Sequence, residues 1–361
     1  MSFLRNPGPT NTEHRMDGLF MFTAANSNPN GDPDNEGRPR QDQETGHGEV
    51  TNVCIKRHIR DTVQLLAGEA KTPGMDIYIQ SKTILDHKLV EVHQSLGFAP
   101  KKAASKGKGK GKKEEGEKKE EGATGEEGGA GEPMELAVVG AEEKGLVQAK
   151  DERMVAMKAA ARMCELHFDV RTFGAVMSSK VANSGQVRGP IQIGYARTVD
   201  PVVIVDDSIT RMAIQTDREA ETNAMNQTFG SKSRVLFGLY VGQFSFNPSF
   251  ARKTGFGPKD LEMFWEAFGR IFEYSRASGR DGVAMKQLIV FEHDSYLGCT
   301  HSQRLYDLVT GPGPDGKAYI RRVDETKPAR QYSDYVVPKQ EEVQDRITGS
   351  GIRGVKVHYL L

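Results

Sequence analysis

Between Phe168 and Thr198 four cations, Arg171, Lys180, Arg188 and Arg197, stand against a single acid, Asp169. Gly174, Ser178, Ser179, Asn183, Ser184, Gly185 and Gly189 lie among them. This mixture suits a surface that tracks a phosphodiester backbone. Guanidinium forks pair with phosphate oxygens, and backbone N–H groups and hydroxyls reach phosphate or 2′-OH only where neighbouring side chains are small. Ser231 to Arg234 (SKSR) repeats the theme, and Lys56, Arg57 and Arg60 add cations on one expected helix. Any one such residue is ordinarily a solvated charge in a minor ion pair; the clustering favours a groove.

Other chemistries find less support. His47 in GHG and His293 in FEHD stand beside no nucleophile paired with a base, and no G-x-S-x-G, H-E-x-x-H or Walker pattern occurs. Gly349 to Gly354 (GSGIRG) matches a dinucleotide fingerprint in letters only, with a polar segment before it and seven residues after, so it reads as a turn. Asn26-x-Asn28-x-Asn30-Gly31 resembles the start of a calcium loop, but Gly37 stands where a bidentate Glu is required. A structured turn is the expectation there, with no metal and no cofactor. Asp32 and Asp34 remain candidates for acid chemistry, set against the commoner role of bonding nearby backbone N–H groups.

Elements that position these residues follow from apolar spacing. Strands are expected at Gly18–Ala25, Asp76–Lys82, Ile191–Thr198, Val235–Phe246, Lys286–Phe291 and Val355–Leu360. Val202–Val205 and Ile209–Gln215 are expected as the two arms of a hairpin. Helices are expected at Thr51–Leu66, with Ile55, Ile59, Val63 and Leu66 as its apolar stripe, and at Asp151–Leu166, with Met154, Met157, Ala161 and Cys164 recurring. The clearest helix is Lys259–Tyr274, entered through Pro258 and carrying Leu261, Phe264, Trp265, Phe268, Ile271 and Phe272. The loop Asn26–Arg40, with three prolines and two glycines, is expected to be neither helix nor strand. The class is α+β, one sheet covered by helices.

The chain has 361 residues with 49 Lys+Arg and 49 Asp+Glu, so a uniformly basic binder is excluded. The zero total averages unlike regions: Met1–Glu36 is net −3, Phe168–Thr198 net +3 and Gly230–Asp260 net +4. Hydrophobic content is low at 37%, and much of that traces to Lys101–Glu132, which has nine Lys, eight Glu and no large apolar residue. Such a stretch cannot offset the entropy of ordering and is expected to be a disordered Lys/Glu/Gly insertion. Residues 1–16 are expected to be a flexible segment without a secretory h-region. Cys54, Cys164 and Cys299 are too few and too scattered for a disulfide framework, which fits a reducing cytoplasm, and no apolar run is long enough for a membrane span.

Four blocks then carry a resemblance: NSNPNGDPD with RPRQDQETGHGEVTNVCIKRHIRD; FDVRTFGAVMSS with GQVRGPIQ; DSITRMAIQT; and GLY followed by KTGFGPKDLEMFWEAFGRIFE and LIVFEHDSYLG. The chain resembles the Cas-seven family of the RAMP superfamily, and within it the backbone subunits of type I-C CRISPR Cascade. The resemblance implies one hand-shaped domain over residues 17–361: a modified RRM-like, ferredoxin-like palm, a helical fingers lobe, and a β-hairpin thumb at about 200–234. It implies noncatalytic subunits that stack as a filament along CRISPR RNA without regard to sequence. The thumb displaces a nucleotide at intervals, and the other bases pair with target DNA. Implied partners are CRISPR RNA, target DNA through the guide heteroduplex, further copies of the chain, and the guide-processing endonuclease, large and small subunits of Cascade.

Implied RNA contacts are Asn26, Asn28, Asn30, Arg38 and Arg40 in the first loop; Lys56, Arg57 and Arg60 on the first helix; and Arg171 and Phe173 in DVRTFG. Ser178, Ser179 and Lys180, then Gln186 and Arg188, continue the set. Arg211 and Met212 belong to the thumb, Met212 as its apolar wedge. Arg234 supplies charge where relatives tend to carry a Gly-Arg-Lys-His run. The usual RRM ribonucleoprotein signature is absent, so base stacking on the sheet is not implied. Two alternatives stand beside this reading: a ribonuclease using Asp32 or Asp34, as type III relatives use a loop aspartate, and a structural oligomer without nucleic acid.

Overall fold

The computed structural model describes residues 3–70, 72–98, 142–179, 181–211 and 228–361. The Lys/Glu insertion at 101–132, Lys180 and Met212 lie outside the described residues.

The strands are β1 (Met16–Ser27), β2 (Gly31–Asp32), β3 (Arg38–Pro39), β4 (His47–Val50), β5 (Gly174–Ser178), β6 (Asn183–Arg188), β7 (Ile191–Pro201), β8 (Ile204–Arg211), β9 (Thr228–Phe246), β10 (Val283–His293), β11 (Arg321–Arg322), β12 (Tyr335–Val336) and β13 (Val355–Tyr359). The helices are α1 (Asn52–Ala70), α2 (Leu85–Ser95), α3 (Glu142–Leu166), α4 (Phe168–Phe173), α5 (Pro248–Thr254), α6 (Pro258–Gly269), α7 (Ser302–Thr310) and α8 (Gln340–Gly349). The class is α+β. The main sheet runs β13-β10-β1-β9-β7-β4, with β8 paired to β9. All its pairings are antiparallel. In chain order the centre reads β1–α1–β7–β9–α6–β10, two β–α–β halves interleaved in one sheet.

Both faces of that sheet are covered. Phe20, Phe22, Tyr240, Phe244 and Val290 pack on one side under Ile55, Ile59 and Val63 of α1 and Phe264, Trp265 and Phe268 of α6. Leu19, Met21, Leu239, Ile289 and Phe291 pack on the other under Leu305 and Val309 of α7 and Val343 and Ile347 of α8. Central strands buried on both faces show near-continuous apolar runs rather than alternation, which is why GLFMFTAA is legible as a strand. Gly242 lies opposite Phe20 across the β1–β9 pair, and a side chain there would collide with the Phe20 ring. The glycine gives the aromatic ring its space.

Contacts divide the chain into two compact units, where the sequence suggests one domain. The first holds Met1–Leu85, Ala161–Val176 and Gln186–Leu361; the second holds Asp86–Ala160 and Met177–Gly185. Within the second, Leu89, Val92 and Ala159 are buried, and His93 Nε2 meets Ser184 Oγ at 3.1 Å. No described helix is long and apolar enough to cross a membrane.

Several expectations change. Residues 3–15, expected to be flexible, are packed into the first unit. The Arg5 N–H donates to Leu360 O, and Trp265 Nε1 donates to Pro9 O at 2.9 Å. The turn expected between Val205 and Ile209 does not form, and residues 212–215 of the expected second arm lie outside the described residues. Ile204–Arg211 is one strand whose partner is Thr228–Val235 of β9. Asp206, Asp207 and Ser208 look like a turn by type, but the two carboxylates are satisfied beside the strand rather than by reversing it.

Asp76–Lys82 is not a strand beyond a single bridge from Asp76 to His167. The Asp169 carboxylate takes the Tyr78 and Ile79 N–H groups that a ladder would otherwise use. On α3, Met154 and Met157 are exposed, while Ala159, Met163 and Cys164 are buried. The inward stripe is turned towards small residues that carry little hydrophobic signal. In the Asn26–Arg40 loop, the two-residue strands β2 and β3 pair around a 3₁₀ turn at Pro33–Asn35.

Candidate nucleic-acid interface

The DVRTFG block lies inside the first unit. Arg171 is 6% exposed. Its guanidinium pairs with Asp260 Oδ1 at 2.6 Å and donates to Cys164 O at 2.6 Å and Gly74 O at 2.9 Å. It ties the end of α3 to the start of α6, where Asp260 Oδ2 accepts the Gly257 N–H. Arg60 pairs with Asp169 at 2.9 Å, and both are buried. Phe173 is buried edge-on against Phe264. Arg60, Arg171 and Phe173 are therefore corrected from RNA contacts to structural residues. The Arg171 guanidinium is committed to a carboxylate and carbonyls, and Arg60 is closed off from solvent against Asp169, so neither is presented to a phosphate.

Sequence neighbours of these residues reach the surface. Lys56, one turn before Arg60, lies half-buried with Nζ 5.5 Å from the centre of the Phe173 ring. Burial pulls its amine below the ordinary lysine range, with Arg60 adding to the effect. Gly174 follows Phe173 with φ +79°, and a Cβ there would collide with the Val187 carbonyl. That close approach brings Arg188 to the exit of α4. Exposed Arg188 stacks over the Phe250 ring at 4.6 Å, and Lys253 lies 5.9 Å from the same ring. Lys56, Gly174, Arg188 and Lys253 thus form one track linked by contacts through Phe173 and Phe250.

Gly174→Ala is expected to cost several kcal/mol, because a left-handed backbone position and a backbone collision coincide there. Loss of the cooperative thermal transition, or a midpoint well below the parent, is the result to look for.

The first loop adds a second group of cations. Asn30 Oδ1 accepts from Thr51 N at 2.9 Å and from Thr51 Oγ1, and Asn28 Nδ2 donates to Gly37 O at 2.7 Å. These two asparagines shape the loop. Asn28 Oδ1 and Arg40 Nε are buried without a hydrogen-bond partner among the described residues, and such groups call for water or a ligand. Arg40 pairs with Asp32 at 2.9 Å, Arg38 with Asp206 at 3.1 Å and Arg57 with Asp61 at 2.8 Å. Arg234 pairs with Asp207 at 2.5 Å and donates to the exposed Asn26 at 2.6 Å. Arg280 is close enough to His58 to add to the burial that pushes its imidazole down to about 4.

The chain matches the model of the family "CRISPR-associated protein Cas7" over residues 14–340. The chain belongs to the Cas7 family. A CRISPR-associated protein Cas7 of Haloferax volcanii is 41% identical over 69 residues, which is 19% of this chain and 18% of that protein. The match thus spans less than a fifth of that relative's length. Two solved structures are also similar. One is a chain of a CRISPR RNA-guided surveillance complex, pre-nicking, at 16% identity, covering 77% of this chain and 78% of that chain, with a TM-score of 0.42. The other is a chain of a CRISPR RNA-guided surveillance complex at 12% identity, covering 77% and 68%, with a TM-score of 0.38.

In this Cas7 chain the remaining sequence candidates are dispersed. Gln186 is exposed on β6 beside Arg188. Ser178 and Ser179 belong to the second unit, where Ser179 Oγ accepts the Val181 N–H. The backbone of Arg211 ends β8. Asp32 is held by Arg40, and Asp34 is exposed in the 3₁₀ turn. Both histidines singled out by sequence are bonded in the fold. His293 is fully buried, accepts the Cys299 N–H at Nδ1 and donates from Nε2 to Asp17, while His47 Nδ1 donates to Thr198 O at 2.7 Å.

Phe250, Lys253 and Arg280 were missed by sequence. For the first two the signal was present, since an aromatic and a lysine three apart share a helix face. For Arg280, in a turn distant in sequence from α1, there was none.

Proposed function

We propose that this chain is a noncatalytic backbone subunit of a type I-C CRISPR surveillance complex. In this reading copies of it line up along a CRISPR RNA and present the guide for pairing with target DNA. The observation that carries the reading is the track Lys56–Gly174–Arg188–Lys253, with Phe250 beneath Arg188. It joins point charges to a guanidinium fork that the close backbone crossing at Gly174 and Val187 brings beside them, which is chemistry for phosphates and not for base edges. The covered second face supports it further. In an ordinary RRM that face stacks bases; here α7 and α8 occupy it, so the palm is left to hold backbone.

The interleaved β–α–β halves supply the palm, the second unit the fingers, and the β8–β9 hairpin the root of the thumb. Its partners in this reading are CRISPR RNA, target DNA, further copies of itself and the other Cascade subunits.

Purified full-length chain tests this directly. The expected result is an ultraviolet absorbance ratio typical of bound nucleic acid, ribonuclease-sensitive large particles, and similar filter-binding affinity for two unrelated single-stranded RNAs. A protein-like ratio, with neither RNA retained at moderate salt, would sink the proposal.

A further inference from the structure

Two adjacent aspartates on β8, Asp206 and Asp207, have no part in the reading above, yet they meet its arginines. Neighbouring strand residues point to opposite faces, so their carboxylates stand on opposite faces of the β8–β9 hairpin. On one face Asp206 pairs with Arg38 of β3 at 3.1 Å and accepts from Ser233 Oγ at 2.6 Å. On the other, Asp207 takes Arg234 Nε at 2.5 Å. The same guanidinium donates Nη1 to Asn26 Oδ1 at 2.6 Å. Asn26 lies near the end of β1 with φ +50°, a left-handed position that a non-glycine residue adopts at a cost. The β2–β3 loop therefore holds β8 on one face through an ion pair, and the exit of β1 holds Arg234 of β9 on the other through a hydrogen bond.

Exposure decides what such pairs do. The Arg38 and Asp206 side chains are 41% and 48% exposed, and those of Arg234 and Asp207 are 29% and 44% exposed. Exposed ion pairs are weak and exchange readily. A carboxylate and a phosphodiester offer a guanidinium the same pair of anionic oxygens. Arg40–Asp32 is different in kind, because both partners lie within one loop and join no other element.

We propose that Asp206 and Asp207 are stand-ins for RNA phosphates. In the free chain they hold Arg38 and Arg234 extended along the groove, and on binding each arginine exchanges its carboxylate for a phosphate. The exchange at Arg38 releases β8 from the β2–β3 loop, so occupancy of the groove is coupled to the freedom of the hairpin root. The two aspartates are positioning residues that never touch RNA. This rests on the RNA-binding reading.

The test uses the full-length chain and a fluorescein-labelled single-stranded RNA. Asp206→Asn with Asp207→Asn is expected to tighten binding about fivefold, since competition for two guanidiniums disappears. Asp34→Asn with Glu36→Gln makes the same charge change on exposed loop acids that have no ion pair among the described residues, and is expected to give less than about twofold. In an Arg38→Ala, Arg234→Ala background the gain from the two aspartate changes should fall to that of the loop pair. The single changes Asp206→Asn and Asp207→Asn, at about twofold each, serve if the double variant misfolds. Binding no tighter than the loop control overturns the proposal. So does weaker binding, which would mean that the carboxylates stay on the arginines in the complex. If the RNA reading itself is wrong, no variant and no parent chain binds the probe, and that outcome is recognisably different.

Discussion

Arg171→Ala is expected to destabilise the chain by about 3–5 kcal/mol, the usual cost of leaving one partner of a buried ion pair uncompensated. Asp260 is the group left behind. Its side chain is 9% exposed, and its remaining contact is the Gly257 N–H at the start of α6. The carbonyls of Cys164 and Gly74 lose their donors in the same change. Urea unfolding followed by circular dichroism measures the loss. Adding Asp260→Asn to Arg171→Ala should recover part of it, because no charge is then stranded. The contrary result is equally informative. A parent-like unfolding midpoint with weakened RNA binding would return Arg171 to the role its sequence block implies and would contradict the buried geometry.

Lys56→Ala combined with Arg188→Ala is expected to do the reverse: fold intact, RNA lost. Lys56 is half-buried over Phe173 and Arg188 is exposed over Phe250, and neither has an acidic partner among the described residues. Their removal strands no charge. At about 1 kcal/mol for each phosphate contact the affinity falls roughly thirtyfold. The slope of log affinity against log salt should become shallower by roughly 1.4 for two contacts to a single strand. Filter binding at several salt concentrations gives both numbers. The loss should be equal for unrelated sequences, because phosphate contacts carry no sequence information. A loss confined to one sequence would indicate base readout, and an unchanged slope would remove these two residues from the interface.

The contrast between Arg171 and Arg188 shows where sequence reasoning stopped. Both sit in basic, glycine-punctuated blocks, and by residue type they are equivalent. The fold separates them through Asp260, which is 89 residues beyond Arg171. No local pattern contains that distance. Arg60 and Asp169 repeat the case across 109 residues. The β8 strand failed for a related reason: Asp-Asp-Ser reads as a turn until Arg38 and Arg234 are placed beside it. Helices α7 and α8 were missed because each is short and presents only two or three inward residues, such as Leu305 and Val309 or Val343 and Ile347.

What the sequence determined by itself was the class, the central strands, the two main helices and the family. These rest on dense local signals: doubly apolar runs, helical stripes and long motif blocks in order. It also separated a basic middle from an acidic start, so a zero total charge did not exclude a basic surface patch. Only the tertiary structure decided which cations are free to meet a phosphate. An arginine buried against a carboxylate and one stacked in solvent on an aromatic ring have the same letter. The difference between them is desolvation, and desolvation depends on every element that closes over the side chain.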